Sequence, residues 1–193
     1  MNIVSKKRSM TIRRVLKKTA LACAISLFLF TVFFQSFWIP SISMQNTLKV
    51  LDRILVFKPH VKWAPSRGSV VVFKFPLEPN RYFVKRIVGL PGDTVEIVSG
   101  KVFINNYAIT EPYVDYHDNC SMEKLIVPKD QYFVLGDNRP HSQDARYWPR
   151  WARFVPKENL VGPVLIRYWP LERFGIVPWE DSDIAYADSQ KTF

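Results

Sequence analysis

The chain has 193 residues, 27 of them basic and 17 acidic, for a formal net charge of +10. Seven of the 27 basic residues (Lys6, Lys7, Arg8, Arg13, Arg14, Lys17 and Lys18) fall in the first 18 positions, so 20 basic residues face 17 acidic ones in the rest. That near balance removes the case for a nucleic-acid-binding face, because the high isoelectric point belongs to a terminal flank and not to a folded module.

Residues 1–18 form this basic flank, with no acidic residue among them. From Thr19 to Trp38 no charge appears, and about 20 apolar residues is the length at which an α-helix crosses a bilayer. The predicted span is 19–38, and the flank orients it with the N-terminus in the cytoplasm and everything after Pro40 outside. Two other readings share part of this pattern. A cleaved export signal has the same basic start, and Ser41-Ile42-Ser43 supplies small residues at alternate positions, although the apolar stretch is long and aromatic for that role. A helix packed on the core of a domain this small would carry a polar face toward solvent, and none interrupts the run.

Roughly 150 residues follow, enough for one core and too few for two comfortable domains. Runs rich in Val, Ile, Phe and Tyr recur at Arg53 to Phe57, Ser69 to Phe75, Tyr82 to Val88, Thr94 to Val98, Lys101 to Ile104, Gln131 to Leu135 and Val164 to Tyr168. Turn chemistry separates them at Ser66-Arg67-Gly68, Pro91-Gly92-Asp93, Ser99-Gly100 and Asn105-Asn106, and Thr94 to Ile104 reads as a hairpin. No amphipathic helix longer than two turns is expected after the anchor. The predicted fold is mostly β: a coiled antiparallel sheet or partly open β-barrel over residues 39–175, preceded by one transmembrane helix. Residues 176–193, acidic and polar from Glu180 onward, read as a loosely ordered tail.

Three segments carry candidate chemistry. Ser41-Ile42-Ser43-Met44 sits where the chain leaves the predicted span. Lys85 lies in Arg81 to Asp93, where Phe83, Lys85 and Ile87 share one face at the period of two that a strand imposes. A lysine aimed among apolar side chains loses its proton more easily and can act as a general base for a serine. The plainer reading is a lysine snorkelling from a sheet edge. Gly136-Asp137-Asn138-Arg139 to Ser142, Asp144 and Arg146 forms a polar turn after a strand.

With these motifs in this order, the chain resembles the bacterial type I signal peptidases, membrane-anchored Ser/Lys proteases of the bacterial cytoplasmic membrane. The resemblance runs from the anchor through Arg67-Gly68-Ser69-Val70-Val71-Val72-Phe73 and Gly89-Leu90-Pro91-Gly92-Asp93 to Arg146. It implies Ser43 as nucleophile and Lys85 as general base. Ser41 would share an oxyanion hole with the Ser43 backbone N–H, Ser142 would orient the Lys85 amine, and Asp144 and Arg146 would support the turn. Phe37, Ile39, Met44, Leu48, Ile54, Val72, Phe83 and Val84 would line the substrate pockets. The implied substrates are signal peptides of secretory preproteins, cut after Ala-x-Ala-like small residues, close to membrane lipid and the export translocon, with no cofactor and no nucleic acid. A specialised peptidase of the conjugative-pilus type, and an inactive tethered β module, are the alternatives. Asn46, Ser69 and Ala145 depart from the family pattern, and loss of a proline at position 46 frees φ behind Ser43. The stretch between Asp93 and Gly136 is compact, so no substantial extra domain is expected.

Other patterns carry less. Ser121-Met122-Glu123-Lys124 matches an S-x-x-K spacing without its companion motifs. Asp115, His117, Asp118 and Ser121 crowd one loop and read as solvated polar residues. His60, His117, His141 and Cys120 lack metal-ligand spacing, so no metal is expected, and His141 reads as an exposed turn residue. Cys23 in the span and Cys120 outside it should not form a disulfide. Trp38, Trp148, Trp151 and Phe154 suit either core packing or a bilayer interface.

Overall fold

The computed structural model describes residues 3–59 and 63–178, with side chains from Arg13 onward. His60 and the acidic tail from Glu180 onward lie outside the described residues. Helix α1 spans Ile3–Phe33, and its stretch Arg13–Phe33 is long and apolar enough to cross a membrane. Leu16, Leu21, Ile25, Leu27, Phe28 and Phe30 are all exposed on it, so it is not a core helix. The predicted span ran to Trp38, but Phe34–Trp38 forms strand β1. An unbroken apolar run does not mark where a helix hands over to a strand.

The remaining strands are β2 (Arg53–Phe57), β3 (Val70–Phe75), β4 (Glu78–Gly89), β5 (Thr94–Val98), β6 (Lys101–Ile104), β7 (Tyr107–Ala108), β8 (Met122–Ile126), β9 (Gln131–Leu135), β10 (Val155–Pro156), β11 (Leu160–Trp169) and β12 (Gly175–Ile176). Every pairing among the described residues is antiparallel. One sheet runs β1-β2-β11-β3-β4-β9-β10 with β12 beside β11, and a smaller one runs β7-β6-β5-β8. Both are open sheets and neither closes into a barrel. The smaller sheet takes up Thr94 to Ile126 of the stretch between Asp93 and Gly136, and its Val95, Ile97, Val102 and Ile104 share one apolar cluster with β3, β4 and β9.

Two turns fix the small sheet. Ser99-Gly100 (φ 47° and 80°) and Asn105-Asn106 (φ 53° and 70°) place both central residues at positive φ, the mirror-image turn whose twist suits a two-residue hairpin. β8 was not expected, because Met122-Glu123-Lys124-Leu125-Ile126 carries charges on an edge strand, where they discourage further pairing.

β3 explains the core. Val70, Val71, Val72 and Phe73 are all fully buried because both of its faces are covered. Val71 and Phe73 join Ile87, Val95, Phe133 and Leu135 between the sheets, while Val70 and Val72 join Ile39, Met44, Leu48, Ile54 and Val164 on the other side. A strand covered twice reads as an unbroken apolar run. Phe75 stacks on Phe83 with ring centroids 4.4 Å apart and meets Trp148 at 5.2 Å. Trp148 is thus a core residue and Phe154 is half-buried, whereas Trp38 and Trp151 stand 64% and 81% exposed. Cys23 and Cys120 are free thiols.

Because β3 serves both cores, Phe73→Ala should cost about 3–5 kcal/mol. Urea unfolding should show this as a lower midpoint with an unchanged slope, and an unchanged midpoint would contradict the two-sided core.

Candidate active site

Ser43 lies in a coiled loop after β1. Backbone bonds Gln45 N→Ile42 O (3.0 Å), Thr47 N→Met44 O (2.9 Å) and Leu48 N→Met44 O (2.6 Å) wind the loop, and the buried side chains of Ile39, Met44 and Leu48 pin it to the core. Lys85 comes from β4, opposite Val71 in register. Its strand is interior to the sheet, paired with β3 on one side and β9 on the other, so the edge-snorkelling reading does not apply. Ser43 is 6% exposed and Lys85 4%, and Lys85 Nζ donates to Ser43 Oγ at 2.5 Å. Ser41 Oγ is 3.3 Å from Ser43 Oγ.

Burial pulls the Lys85 ammonium from its ordinary 10.5 down to about 8; the Asp144 and Asp137 carboxylates hold it up against that, and Arg146 pushes it further down. Between about 8 and 10.5 the unfolded chain therefore binds more protons at this group than the folded one. Its contribution to stability rises with pH across that window.

The turn after β9 closes around this pair. Gly136 N donates to Asp144 Oδ2 at 3.0 Å, and Arg146 Nε donates to Asp144 Oδ1 at 2.8 Å. Arg146 Nη2 reaches the Arg139 carbonyl at 2.8 Å. Asn138 holds the serine loop twice, from its N–H to the Ser43 carbonyl (3.1 Å) and from Nδ2 to the Ile42 carbonyl (3.0 Å). Arg86, next to Lys85, grips Asp137 through Nε (2.9 Å) and Nη2 (2.7 Å) and the Gly68 carbonyl through Nη1 (2.7 Å). Thr47 Oγ1 donates to the same Asp137 carboxylate at 2.5 Å. Breaking a buried pair of this kind by removing one partner costs about 3–5 kcal/mol, so the turn, β4 and the serine loop are held stiffly together.

Ser142 departs from expectation. Its hydroxyl is buried without a hydrogen-bond partner, so the expected bond to the Lys85 amine is not formed. It packs instead against Gly136, where an added Cβ would lie 2.1 Å from Ser142 Oγ and 2.6 Å from the Ser43 carbonyl oxygen. The spacing of Ser142 in its turn brings it to the site but does not dictate its rotamer.

The family described as "Signal peptidase, peptidase S26" matches residues 12–169. The chain belongs to this family. A probable signal peptidase I-2 of Synechocystis sp. is 38% identical over 165 residues, covering 82% of this chain and 73% of that one. A signal peptidase I of Leptolyngbya laminosa is 36% identical over 169 residues, covering 83% and 81%. A crystal structure of a signal peptidase I from Enterococcus faecalis is 31% identical, with a TM-score of 0.45 over 53% of this chain and 98% of that chain. The protein is a serine endopeptidase of the signal peptidase I type.

Beside the Ser43–Lys85 pair, the peptidase has a cavity of about 520 Å³. Of the residues proposed for the substrate pockets, Phe37, Ile39, Met44, Phe83 and Val84 line it. Leu48, Ile54 and Val72 do not; they are fully buried in the core beneath, because an apolar residue type gives no depth. Trp38, Arg81, Tyr82, His141 and Gln143 also border the cavity. Arg81 could have been found, since it shares the alternation of Phe83 and Lys85; His141, exposed as expected, reaches the rim only through the fold.

The family departures have local explanations. Asn46 Nδ2 donates to the Tyr113 carbonyl at 3.0 Å, Ser69 Oγ lies 3.0 Å from Ser66 Oγ, and Ala145 is fully buried in the core. The polar loop residues are structural: Asp118 accepts from Arg146, His117 Nδ1 lies 3.2 Å from the Gly100 carbonyl, and Ser121 Oγ accepts the Ser99 N–H at 3.0 Å.

Gly136→Ala should therefore lower peptide cleavage by about a hundredfold, since roughly 1 Å of misplacement is enough for that loss, while circular dichroism stays that of a folded β protein. Wild-type turnover in this variant would mean that the close packing of Gly136 on the Ser43 backbone has no bearing on the reaction.

Proposed function

We propose that the protein removes N-terminal signal peptides from exported preproteins at the membrane surface, using Ser43 as nucleophile and neutral Lys85 as general base. The observation that carries this reading is the 2.5 Å contact between two buried groups, Lys85 Nζ and Ser43 Oγ, beside an apolar-lined cavity. A serine hydroxyl is a poor nucleophile until a base takes its proton, and only an unprotonated amine can do so. Once Lys85 is neutral the hydrogen bond reverses and the hydroxyl donates.

In the proposed reaction Oγ attacks the scissile carbonyl as its proton passes to Nζ. The oxyanion is met by the Ser41 hydroxyl and the Ser43 N–H, and the loss of one such donor costs roughly 3–4 kcal/mol. The Lys85 ammonium then protonates the departing amine, which leaves an acyl-enzyme on Ser43. Water attacks this ester, again giving its proton to Lys85, and Ser43 Oγ recovers a proton as the acid leaves. In this reading Asp144 and Arg146 keep the turn in place and Ser142 fills space beside Ser43.

The membrane part of the proposal rests on α1. Residues 1–18 would stay in the cytoplasm, the span would end at Phe33 instead of Trp38, and the β domain would sit outside. A substrate whose signal peptide occupies the same bilayer then meets Ser43 at fixed depth, which supplies proximity. Small residues at the cleavage site suit the apolar cavity.

Two experiments test this. Detergent-solubilised protein should cleave a precursor bearing an Ala-x-Ala site, with activity rising through about pH 8 as Lys85 loses its proton. Ser43→Ala should be inactive, and so should Lys85→Arg, since a guanidinium stays charged at working pH; near wild-type cleavage by Lys85→Arg would refute the dyad. In membrane vesicles, protease added at the outer face should digest the region after Pro40, whereas protection of that region would reverse the topology.

A further inference from the structure

Between β7 and β8 the chain runs from Ile109 to Ser121 without a regular element, and none of the motifs that carry the family resemblance falls in it. Loops of this length inside a compact domain are uncommon unless they have a task. Four of its contacts lead to the candidate site, while His117, Cys120 and Ser121 hold its far end to the Ser99-Gly100 turn.

Glu111 is buried, and its Oε2 accepts from Arg139 Nη1 at 2.8 Å while Oε1 accepts from Arg139 Nη2. The same Oε1 accepts from Tyr113 OH at 3.0 Å. Arg139 Nε in turn donates to the Gly136 carbonyl at 3.1 Å, and Gly136 is the residue packed on the Ser43 carbonyl and Ser142. The Tyr113 ring lies 3.9 Å from the Arg86 guanidinium carbon, next in chain to Lys85. The Tyr113 carbonyl accepts from Asn46 Nδ2 at 3.0 Å, three residues beyond Ser43. Asp118 takes the Arg146 guanidinium. The segment 111–118 thus touches the serine loop, the lysine strand and the turn that closes over them.

We infer that residues 111–118 form a strap that sets the placement of Ser43 relative to Lys85, with Glu111 and Asn46 as positioning residues for the reaction. Stability alone gives little reason for the arrangement, because a buried ion pair is often no better than apolar packing of the same volume. Geometry gives a stronger one. The bidentate Glu111–Arg139 fork fixes direction as well as distance, and Asn46 ties the serine loop to the Tyr113 carbonyl at the position where a family proline would fix φ. The inference rests on the Ser/Lys reading of the site.

The test uses the full-length protein in detergent, with Glu111→Gln, which keeps the shape and removes the charge, and Asn46→Ala, which alters an exposed side chain. Both should lower kcat by about tenfold to a hundredfold through misplacement, with KM within about twofold and the pH midpoint of activity unmoved. Amide exchange at residues 43–48 and 136–142 should quicken in both, and Asn46→Ala should keep the wild-type unfolding temperature. Wild-type kcat in Asn46→Ala, or a loss in Glu111→Gln no larger than its unfolded fraction, overturns the strap. A wild-type protein that fails to cleave the peptide would sink the Ser/Lys reading; the exchange measurement still decides, with quickened exchange supporting the strap and unchanged exchange rejecting it.

Discussion

An amine taken out of water resists protonation in proportion to the hydration it loses, and the proposed Ser43–Lys85 dyad depends on that loss. Lys85 sits on an interior strand, against the Phe83 ring and beside Ser43, with Asp137 and Asp144 close enough to oppose the fall but not to cancel it. If either carboxylate lay closer the amine would stay protonated, and if the strand lay at the edge water would restore the charge. The position of β4 between β3 and β9 is therefore a chemical constraint as much as an architectural one.

Holding Ser43 Oγ against that amine demands precision from a loop with little regular structure of its own. The fold supplies it through charged groups that cannot be left unpaired. Arg86, Arg139 and Arg146 are all buried, and their planar forks bind carboxylates and carbonyls in directions that a lysine could not reproduce. Asp137, Asp144 and Glu111 complete them. Each broken pair would strand a charge in the interior, so the network tolerates few geometries. The apolar cores on either side of β3 provide the bulk of the burial; the guanidinium network decides how the loops lie on them.

At the N-terminal end the balance reverses. α1 exposes its leucines and phenylalanines, and β1 carries the chain from that helix directly into the sheet bearing the site. Trp38, at the end of β1, borders the cavity while remaining largely exposed. A short connection of this kind leaves little freedom between the apolar helix and the cavity mouth.

Much of this was legible in the sequence. β2, β5, β6 and β9 begin and end where turn residues bound the apolar runs, because a strand that is buried on a face needs both a period and a stop. Taken singly, a serine beside a proline reads as a loop and a lysine on a strand as a snorkelling charge; Ser43 and Lys85 stand out only together with the Gly136 to Arg146 turn, in an order that matches a known pattern. The sequence could not say that the helix yields to β1 at Phe34, since one apolar run serves both states. It could not rank Leu48, Ile54 and Val72 below the cavity floor, since residue type carries no depth. Nor could it show that Glu111 and Tyr113 reach the site, or that Ser142 makes no bond to Lys85. Those relations join segments tens of residues apart, and only the stacking of one sheet on another decides which of their side chains come within hydrogen-bond range.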